Sequence, residues 1–402
     1  LNNAGEYDGF VAKIDSSGTW VWADSVSGTG NDACLSVSVA PSGNVVVGGS
    51  YSNSVTLGTT TLTTQGDGGA FIAQRGGSAG ATWQWATSAN GTANSDASVQ
   101  SLIHDNSGNI YLTGDIVGTV DFGADTWTSS GDYDVFVAKL DSSGQWVWSL
   151  RGGGADREIG YSISLDSSGN AYVYGHFEGG SSEFGSTILN SSGDIDIFVV
   201  KVNPTGAWVW ATSAGGTGYE LVSRSVVDSN GDSYYTGSFQ STAINFGTLQ
   251  LTNSAGGGQD IFVAKLDNQG SWQWALSSGG TGRETAFDLT LGNNGELYLV
   301  GVFDSNPNFG SLNISSDGDW DILVAKLSLD HDEDGTADAT DEDDDDDGVL
   351  DSVDDCPKGE LNWLSTINTD YDGDGCQDSG EDLDDDNDGV PDGDDDCQNG
   401  DL

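Results

Sequence analysis

The chain has no methionine, only 11 lysines and arginines against 64 aspartates and glutamates, and just three histidines, five prolines and four cysteines. Each scarcity removes a class of function. A formal net charge of -53 repels nucleic-acid phosphates and anionic membranes and attracts divalent cations, so nucleic acid is excluded as a partner. No stretch approaches the ~20 apolar residues that a spanning helix needs, so no membrane span is expected. No secretory leader opens the chain. Leu1 instead begins partway through a repeat without an initiator methionine, from which we expect that upstream sequence has been removed.

The shortage of histidine bears on catalysis, because acid–base or nucleophilic chemistry needs a base poised near neutral pH beside a nucleophile or substrate. His104, His176 and His331 each stand alone in their motifs, His331 at a non-ligand position of an acidic loop. Structural or surface roles follow, and no enzyme is expected. Asp166 and Asp228 belong to "LDSSG"-like turns whose hairpin chemistry accounts for them without pairing them as catalytic carboxylates. No phosphate-cradling loop precedes a helix.

What the chain has in plenty is glycine, 60 residues of it, and aromatic residues in register. The pair W-x-W recurs at Trp20/Trp22, Trp83/Trp85, Trp146/Trp148, Trp208/Trp210 and Trp272/Trp274, at spacings of 63, 63, 62 and 64. "FVAK"-like runs begin at Phe10, Phe71, Phe136, Phe198, Phe262 and Leu323, and "FG" recurs at Phe122, Phe184, Phe246 and Phe309 with "LG" at Leu57. Such a period is the signature of a repeat architecture. Within one copy, "YSISLD" and "AYVYGHF" flank "SSGN", and "IFVVKV" and "AWVWA" flank "NPTG", which are two hairpin patterns. Each unit is therefore four short antiparallel strands. One such sheet cannot cover both its faces, but copies arranged radially can, so the fold class is all-β and the expected architecture a β-propeller over residues 1–327. A linear β-solenoid is the alternative.

The run "FVAKLDSSGQWVW" and the later "ISLDSSGNAYVYGHF" resemble the SBBP-type β-propeller repeat of exported bacterial and archaeal surface proteins, over roughly residues 5 to 327. That resemblance implies a fold and an extracellular or cell-surface location, and no single activity. Strand starts near Leu35, Val99, Tyr161, Val222 and Phe287 give about five blades. Six "FVAK" strands then face five "WxW" strands, and the N-terminal "TWVWA" is free to complete the last blade. Residues 10 to 14 or 323 to 327 would be left without a slot, either belonging to a blade lost upstream or pairing with a neighbouring molecule.

From Ser328 onward the composition changes to about 30 carboxylates and a single lysine, Lys358. Residues 328–402 are therefore a second domain. Its acid is in register. The loop from Asp330 places carboxylates at Asp332, Asp334, Asp338 and Asp341, with Gly335 at the sixth position. The loop from Asp343 repeats this with Asp345, Asp347, Asp351 and Asp354 around Gly348. The loop from Asp370 continues with Asp372, Asp374, Asp378 and Glu381 around Gly375. The fourth runs from Asp384 through Asp386, Asp388, Asp392 and Asp395. Oxygens at positions 1, 3, 5 and 12 and a glycine at 6 are the spacing of a twelve-residue calcium loop, so calcium is the expected cofactor. A disordered acidic tail would not keep the glycine in register.

Asp341 is followed almost at once by Asp343, which leaves no room for flanking helices. The back-to-back loops and cysteines of "DSVDDCP" and "NTDYDGDGC" instead resemble thrombospondin type 3 repeats, over residues 330 to 397. That resemblance implies a calcium core with disulfides linking neighbouring turns. The insert "KGELNWLSTIN" departs from it, and Leu361, Trp363 and Leu364 are expected to form a small apolar plug. "CPKGEL" at Cys356 recurs as "CQNGDL" at Cys397, so the chain is expected to continue past Leu402. On this period Cys356 pairs with Cys376; a Cys376–Cys397 pair is the other option. Cys34 lies alone in a strand-like stretch and reads as a buried, inert thiol. Sequons at Asn90, Asn190 and Asn313 agree with export. Together these features lead us to expect a calcium-binding structural protein that self-associates, with a glycan- or protein-binding surface module as the alternative.

Overall fold

The computed structural model describes residues 4–254, 258–292, 295–310, 312–327, 342–356, 359, 363–366, 369–378 and 382. Among these residues the regular elements are all strands, between Gly9 and Leu327, and no helix is long and apolar enough to cross a membrane. The chain divides into two compact units, Leu1–Leu289 with Val300–Leu323, and Thr290–Leu299 with Val324–Leu402.

In the first unit the repeat is plain. The expected starts fall inside strands beginning at Asp32, Asp96, Glu158, Glu220 and Glu284. A central copy runs Glu158–Leu165, Ala171–Glu178, Ile195–Val202, Trp208–Gly215, antiparallel and in that order across the sheet. Its two middle strands are buried along nearly their whole length, which is why they read as continuous apolar and aromatic runs. At the first hairpin Asp166 accepts the amides of Ser168 (3.0 Å) and Asn170 (2.8 Å), and Gly169 takes a φ of 78°. Turn chemistry thus does account for Asp166, and Asp228 makes the same two bonds to Asn230 and Asp232.

The four-stranded unit is extended at its outer edge. The hairpin Ala243–Phe246 and Leu249–Thr252, which belongs to the following repeat in sequence, joins the sheet of the preceding one, so three of the sheets have six strands. The "FG" signature makes this hairpin. Its glycine turns at positive φ, 63° at Gly185 and 58° at Gly247. Repeated antiparallel sheets of this kind are consistent with a repeat β-propeller.

The three sequence signatures meet at one place. Phe184 of the "FG" hairpin packs on Phe198 of "FVVK" (ring centroids 4.9 Å) and edge-on against Trp208 of "WVW" (5.6 Å). The same trio recurs as Phe122, Phe136 and Trp146, and as Phe246, Phe262 and Trp272. The second tryptophan reaches into the next copy instead: Trp148 donates to the Pro204 carbonyl at 3.1 Å and Trp210 to the Asn268 carbonyl at 3.3 Å.

The surplus strand is resolved within the chain. Gly9–Ile14 pairs with Trp20–Gly28, and Asp321–Leu327 neighbours Leu297–Phe303 in a three-stranded sheet. Neither lacks a slot. Nor does the N-terminal tryptophan strand complete that last sheet, because both its edges are taken, by Gly9–Ile14 and Ser54–Leu57.

Acidic residues are buried between consecutive copies. Glu158 has no exposed surface and accepts the Gly154 amide at 2.9 Å and the Ser182 hydroxyl at 2.6 Å. Glu220 and Glu284 make the same two bonds, to Gly216 and Ser241 and to Gly280 and Ser305. A buried aspartate faces each glutamate: Asp134, Asp196 and Asp260. Oδ1 of Asp134 and of Asp260 has no donor. The glycine between each pair is required by close approach, since a Cβ at Gly215 would lie 2.1 Å from Asp196 Oδ1 and one at Gly279 equally close to Asp260 Oδ1. Burial pushes Glu158 up from 4.5 to about 7, against the bonds from Ser182 and Gly154 and with help from the Asp134 and Asp156 charges. Burial raises Glu220 and Glu284 as well, the former in contact with Asp196. Two such carboxylates hold one proton far more readily than none.

A carboxyl whose folded pKa is raised contributes its full stability below the unfolded value, and loses it as pH climbs through the folded one. The first unit should therefore melt at higher temperature at pH 5 than at pH 8, the loss falling between about 4.5 and 7 for Glu158. Glu158→Gln and Glu220→Gln should flatten that dependence and raise the melting temperature at pH 8; unaltered pH profiles in both variants would show that the pairs are ionised.

Candidate metal centre

The second unit holds two of the four predicted acidic loops within the described residues, and they share one hydrogen-bond pattern. Gly348 donates to Asp343 Oδ2 (3.1 Å), and Gly375 to Asp370 Oδ2 (3.2 Å), closing each loop on its first carboxylate. The fifth amide turns to the third carboxylate, Asp347 to Asp345 and Asp374 to Asp372, both at 3.3 Å. The seventh amide turns to the fifth carboxylate, Val349 to Asp347 (2.7 Å) and Cys376 to Asp374 (2.9 Å). Gly348 and Gly375 sit at φ 98° and 92°, which explains the glycine at position 6.

The result is two carboxylate triads, Asp343–Asp345–Asp347 and Asp370–Asp372–Asp374, each with one oxygen per residue within 4.8 Å of the others. Asp347 is pushed up to about 6, by burial first and then by repulsion from Asp345 and Asp343. Asp354 rises equally for the same reasons, with Asp345, Asp347 and Asp351 the repelling charges. Asp347 Oδ2 and Asp354 Oδ2 are buried without a hydrogen-bond partner. Such oxygens are costly to bury unless something positive meets them.

The predicted ninth-position ligands each also hold a backbone amide. Asp351 Oδ1 accepts the Asp344 amide at 2.8 Å, and Asp378 Oδ1 accepts the Tyr371 amide at 3.0 Å, so each braces its loop beside the triad. The loops also lock to one another. Asp355 donates its amide to the Asp374 carbonyl (2.8 Å), and a Cβ on Gly375 would meet Asp354 Oδ1 at 2.1 Å. Cys356 and Cys376 form a disulfide across 20 residues, with Cα atoms 5.2 Å apart. Of the expected apolar plug, Leu364 is instead exposed and Trp363 half-buried. Asp330, Asp332, Asp334, Asp338, Asp341, Glu381, Asp384, Asp386, Asp388, Asp392, Asp395, Leu361, Cys397 and His331 lie outside the described residues.

Elsewhere, Asn190 and Asn313 are exposed at hairpin strands, whereas the Asn90 amide is engaged, donating to Ser88 Oγ (2.8 Å) and the Thr63 carbonyl (3.2 Å). Cys34 is a free, half-buried thiol, pushed up to about 12 by burial and then by Asp32. His104 contacts Ser38 Oγ through Nδ1 at 2.8 Å. His176 packs against the Tyr161 ring, and burial pulls it down to about 4.

One feature of the first unit carried no sequence signal. A cavity of about 570 Å³ is lined by side chains of several consecutive copies, among them Gln100, Asp115, Tyr133, Arg157 and Tyr161. Asp115, nearly fully buried, accepts Gln100 Nε2 at 3.0 Å, and burial pushes it up to about 6. Arg157 lies 4.9 Å above the Tyr133 ring. Its lining draws on residues about a whole repeat apart, such as Gln100 and Tyr161, so only the fold brings them together.

No family model matches the sequence. The chain is 23% identical over 231 residues to an uncharacterized WD repeat-containing protein, L264, of Acanthamoeba polyphaga mimivirus, covering 48% of this chain and 17% of that protein. It is 28% identical over 150 residues to the regulatory protein FlaEY of Caulobacter vibrioides, covering 36% of this chain and 16% of that one. The chain thus spans less than a fifth of either relative. Among solved structures, a Bacteroides caccae protein of unknown function aligns over 74% of this chain and 80% of its own, at a TM-score of 0.36 and 12% identity. YCF48 bound to a D1 peptide aligns over 72% and 66%, at 0.32 and 14%. The mimivirus protein is named for its WD repeats, and this chain too is built of repeats.

Proposed function

We propose that this is an extracellular or cell-surface calcium-binding structural protein, in which an SBBP-type propeller of about five blades carries thrombospondin type 3-like calcium repeats, and that it is the subunit of a self-assembling filament. The observation that carries the calcium reading is the pair of triads with matching loop bonds, Asp343–Asp345–Asp347 and Asp370–Asp372–Asp374. Calcium takes six to eight oxygens, and acidic side chains with backbone carbonyls are the ligands it favours. Asp354, which feels the charges of Asp345 and Asp347, would supply the twelfth-position oxygen to the first triad. The disulfide joining the two loops supports an oxidising compartment, and hence export. A catalytic role has no support in the surroundings of His104 and His176.

A second reading rests on the cavity: a surface adhesin or lectin-like module whose propeller unit holds a glycan or protein group against Asp115, Gln100, Arg157 and the tyrosines. Robust, calcium-independent retention of a glycan on an array, lost in Asp115→Ala, would favour it over the structural reading.

Removing calcium with a chelator should raise amide exchange across residues 342–378 while strands of the first unit keep their protection; an unchanged exchange pattern would remove the metal. Gly375→Ala forces a side chain into a φ of 92° and onto Asp354. With roughly 1–3 kcal/mol of strain, titration calorimetry should show calcium binding at this loop weakened by about ten- to a hundredfold, with the Asp343 loop less affected.

A further inference from the structure

The cavity of the first unit is built on a frame that recurs while its lining varies. In four of the copies the first strand breaks register against the second at the same place: between Cys34 and Ser36, at Gln100, at Tyr161, and between Val222 and Ser225. A bulge of this kind leaves its residue out of the ladder and re-aims the side chain. The backbone is shared and the side chain is not, since Leu35, Gln100 and Tyr161 hold the position in three consecutive copies. Gln100 and Tyr161 both line the cavity. Their strands, Asp96–His104 and Glu158–Leu165, pack on each other and on a further copy at either side, Asp32–Val39 and Glu220–Val227, so these walls are interior to the array.

Charge and hydrogen-bonding capacity narrow what fits. Among the described residues, Asp32, Asp67, Asp96 and Asp115 line the cavity against one cation, Arg157, so an anionic ligand is repelled. Asp32 is 2% exposed and neither of its oxygens has a hydrogen-bond partner; Asp115 is 6% exposed and held at one oxygen by Gln100. A carboxylate can only accept, so such oxygens call for a donor or a positive charge. Arg157 has the opposite need. A guanidinium can only donate, and its Nε is buried without a partner. Tyr133, beneath that guanidinium, and Tyr161 add flat rings with an apolar face. A bare cation would meet the aspartates and not Arg157, and a neutral sugar would leave the excess negative charge uncompensated. A hydroxylated amine meets both.

We infer that this cavity binds an amino sugar with a free ammonium group, the ammonium held by the aspartates, the hydroxyls by Arg157 and the polar wall, and the ring against the tyrosines. The inference deepens the adhesin reading and rests on it. Its volume of about 570 Å³ lies within the range of small-ligand sites and takes a short oligosaccharide end. The bulge residue is the specificity element: where the preceding copy presents Leu35, this one presents the amide that holds Asp115 in place. Attraction between the ammonium and an acidic wall is screened by salt, so binding should weaken as ionic strength rises.

The test is calorimetric titration of the 402-residue chain, with calcium and near neutral pH, using a glucosamine disaccharide, its fully N-acetylated form, and N-acetyl-lysine amide. The free-amine disaccharide should bind about tenfold more tightly than either of the others, and less tightly at high salt. Asp115→Asn should remove its advantage over the acetylated form, and Arg157→Gln should weaken both disaccharides. Gln100→Leu places at this bulge the residue type that Leu35 supplies in the neighbouring copy, so it tests the wall in a fold that already accepts that side chain; it should weaken both disaccharides with an unchanged melting temperature. Equal affinity for the acetylated form would overturn the ammonium and leave the glycan reading standing. Equal affinity for the lysine amide would overturn the sugar. Binding of none of the three would overturn the inference, and the glycan reading falls with it only if a glycan array is also blank.

Discussion

The junction between consecutive sheets is the contact on which the first unit depends, and at its centre three rings meet, Phe184, Phe198 and Trp208 in one instance. Each comes from a different strand, and the hairpin that carries Phe184 is hydrogen-bonded into the preceding sheet through Ser181–Phe184. A copy is therefore tied to its predecessor twice, by backbone pairing at the edge and by aromatic packing across the face. Neither tie exists in an isolated copy. This is the physical reason the sequence must repeat: the free energy of burying an aromatic side chain, roughly 1.5–3 kcal/mol, is available only when a neighbour supplies the other side.

Acid does three different jobs in this chain, and its surroundings decide which. Exposed turn aspartates such as Asp15 and Asp141 have their carboxyls lowered, first by the hydroxyls of Ser17 and Ser143. They bind best when ionised. Junction acids such as Glu158 are raised by burial and favour a retained proton. Loop acids such as Asp347 and Asp354 are raised by burial and by each other, an arrangement that a bound cation would reverse. A net charge of -53 is thus not one property spread over the surface.

Those differences set what the sequence could reveal. The period of Trp and Phe was legible because each ring fills the same slot in every copy, and the hairpin turns were legible because Asp and Gly have local reasons to be there. The loop register was legible too, since the glycine at position 6 answers a backbone angle. The junction acids were not, because Glu158 and Glu220 stand among glycines and polar residues that read as loop. Their partners Asp134 and Asp196 lie 24 residues earlier, in another strand. The cavity was invisible for the same reason, as its lining takes side chains from copies about 60 residues apart. The amide bond from Asp344 to Asp351 was not legible, because spacing gives position in a loop and not the direction of a carboxylate.

The two units solve opposite problems of burial. The first has apolar surface that a single copy cannot cover, and it covers it with further copies. The acidic loops of the second have few apolar residues to bury among those described, and Leu350, Val353 and Leu364 are exposed. Backbone amides turned onto carboxylates, and one disulfide, hold its loops in place of a hydrophobic core. At Asp347 and Asp354 the amide bond fixes one oxygen and leaves the other buried without a partner, so the bonds that shape the loop also gather its charge. Without a cation the assembly is self-repelling, and the disulfide, by closing a 20-residue span, limits how far the loops can spread. Stiffness in this unit would then be a property of the ion we propose, set by its concentration, whereas stiffness in the first is fixed by packing.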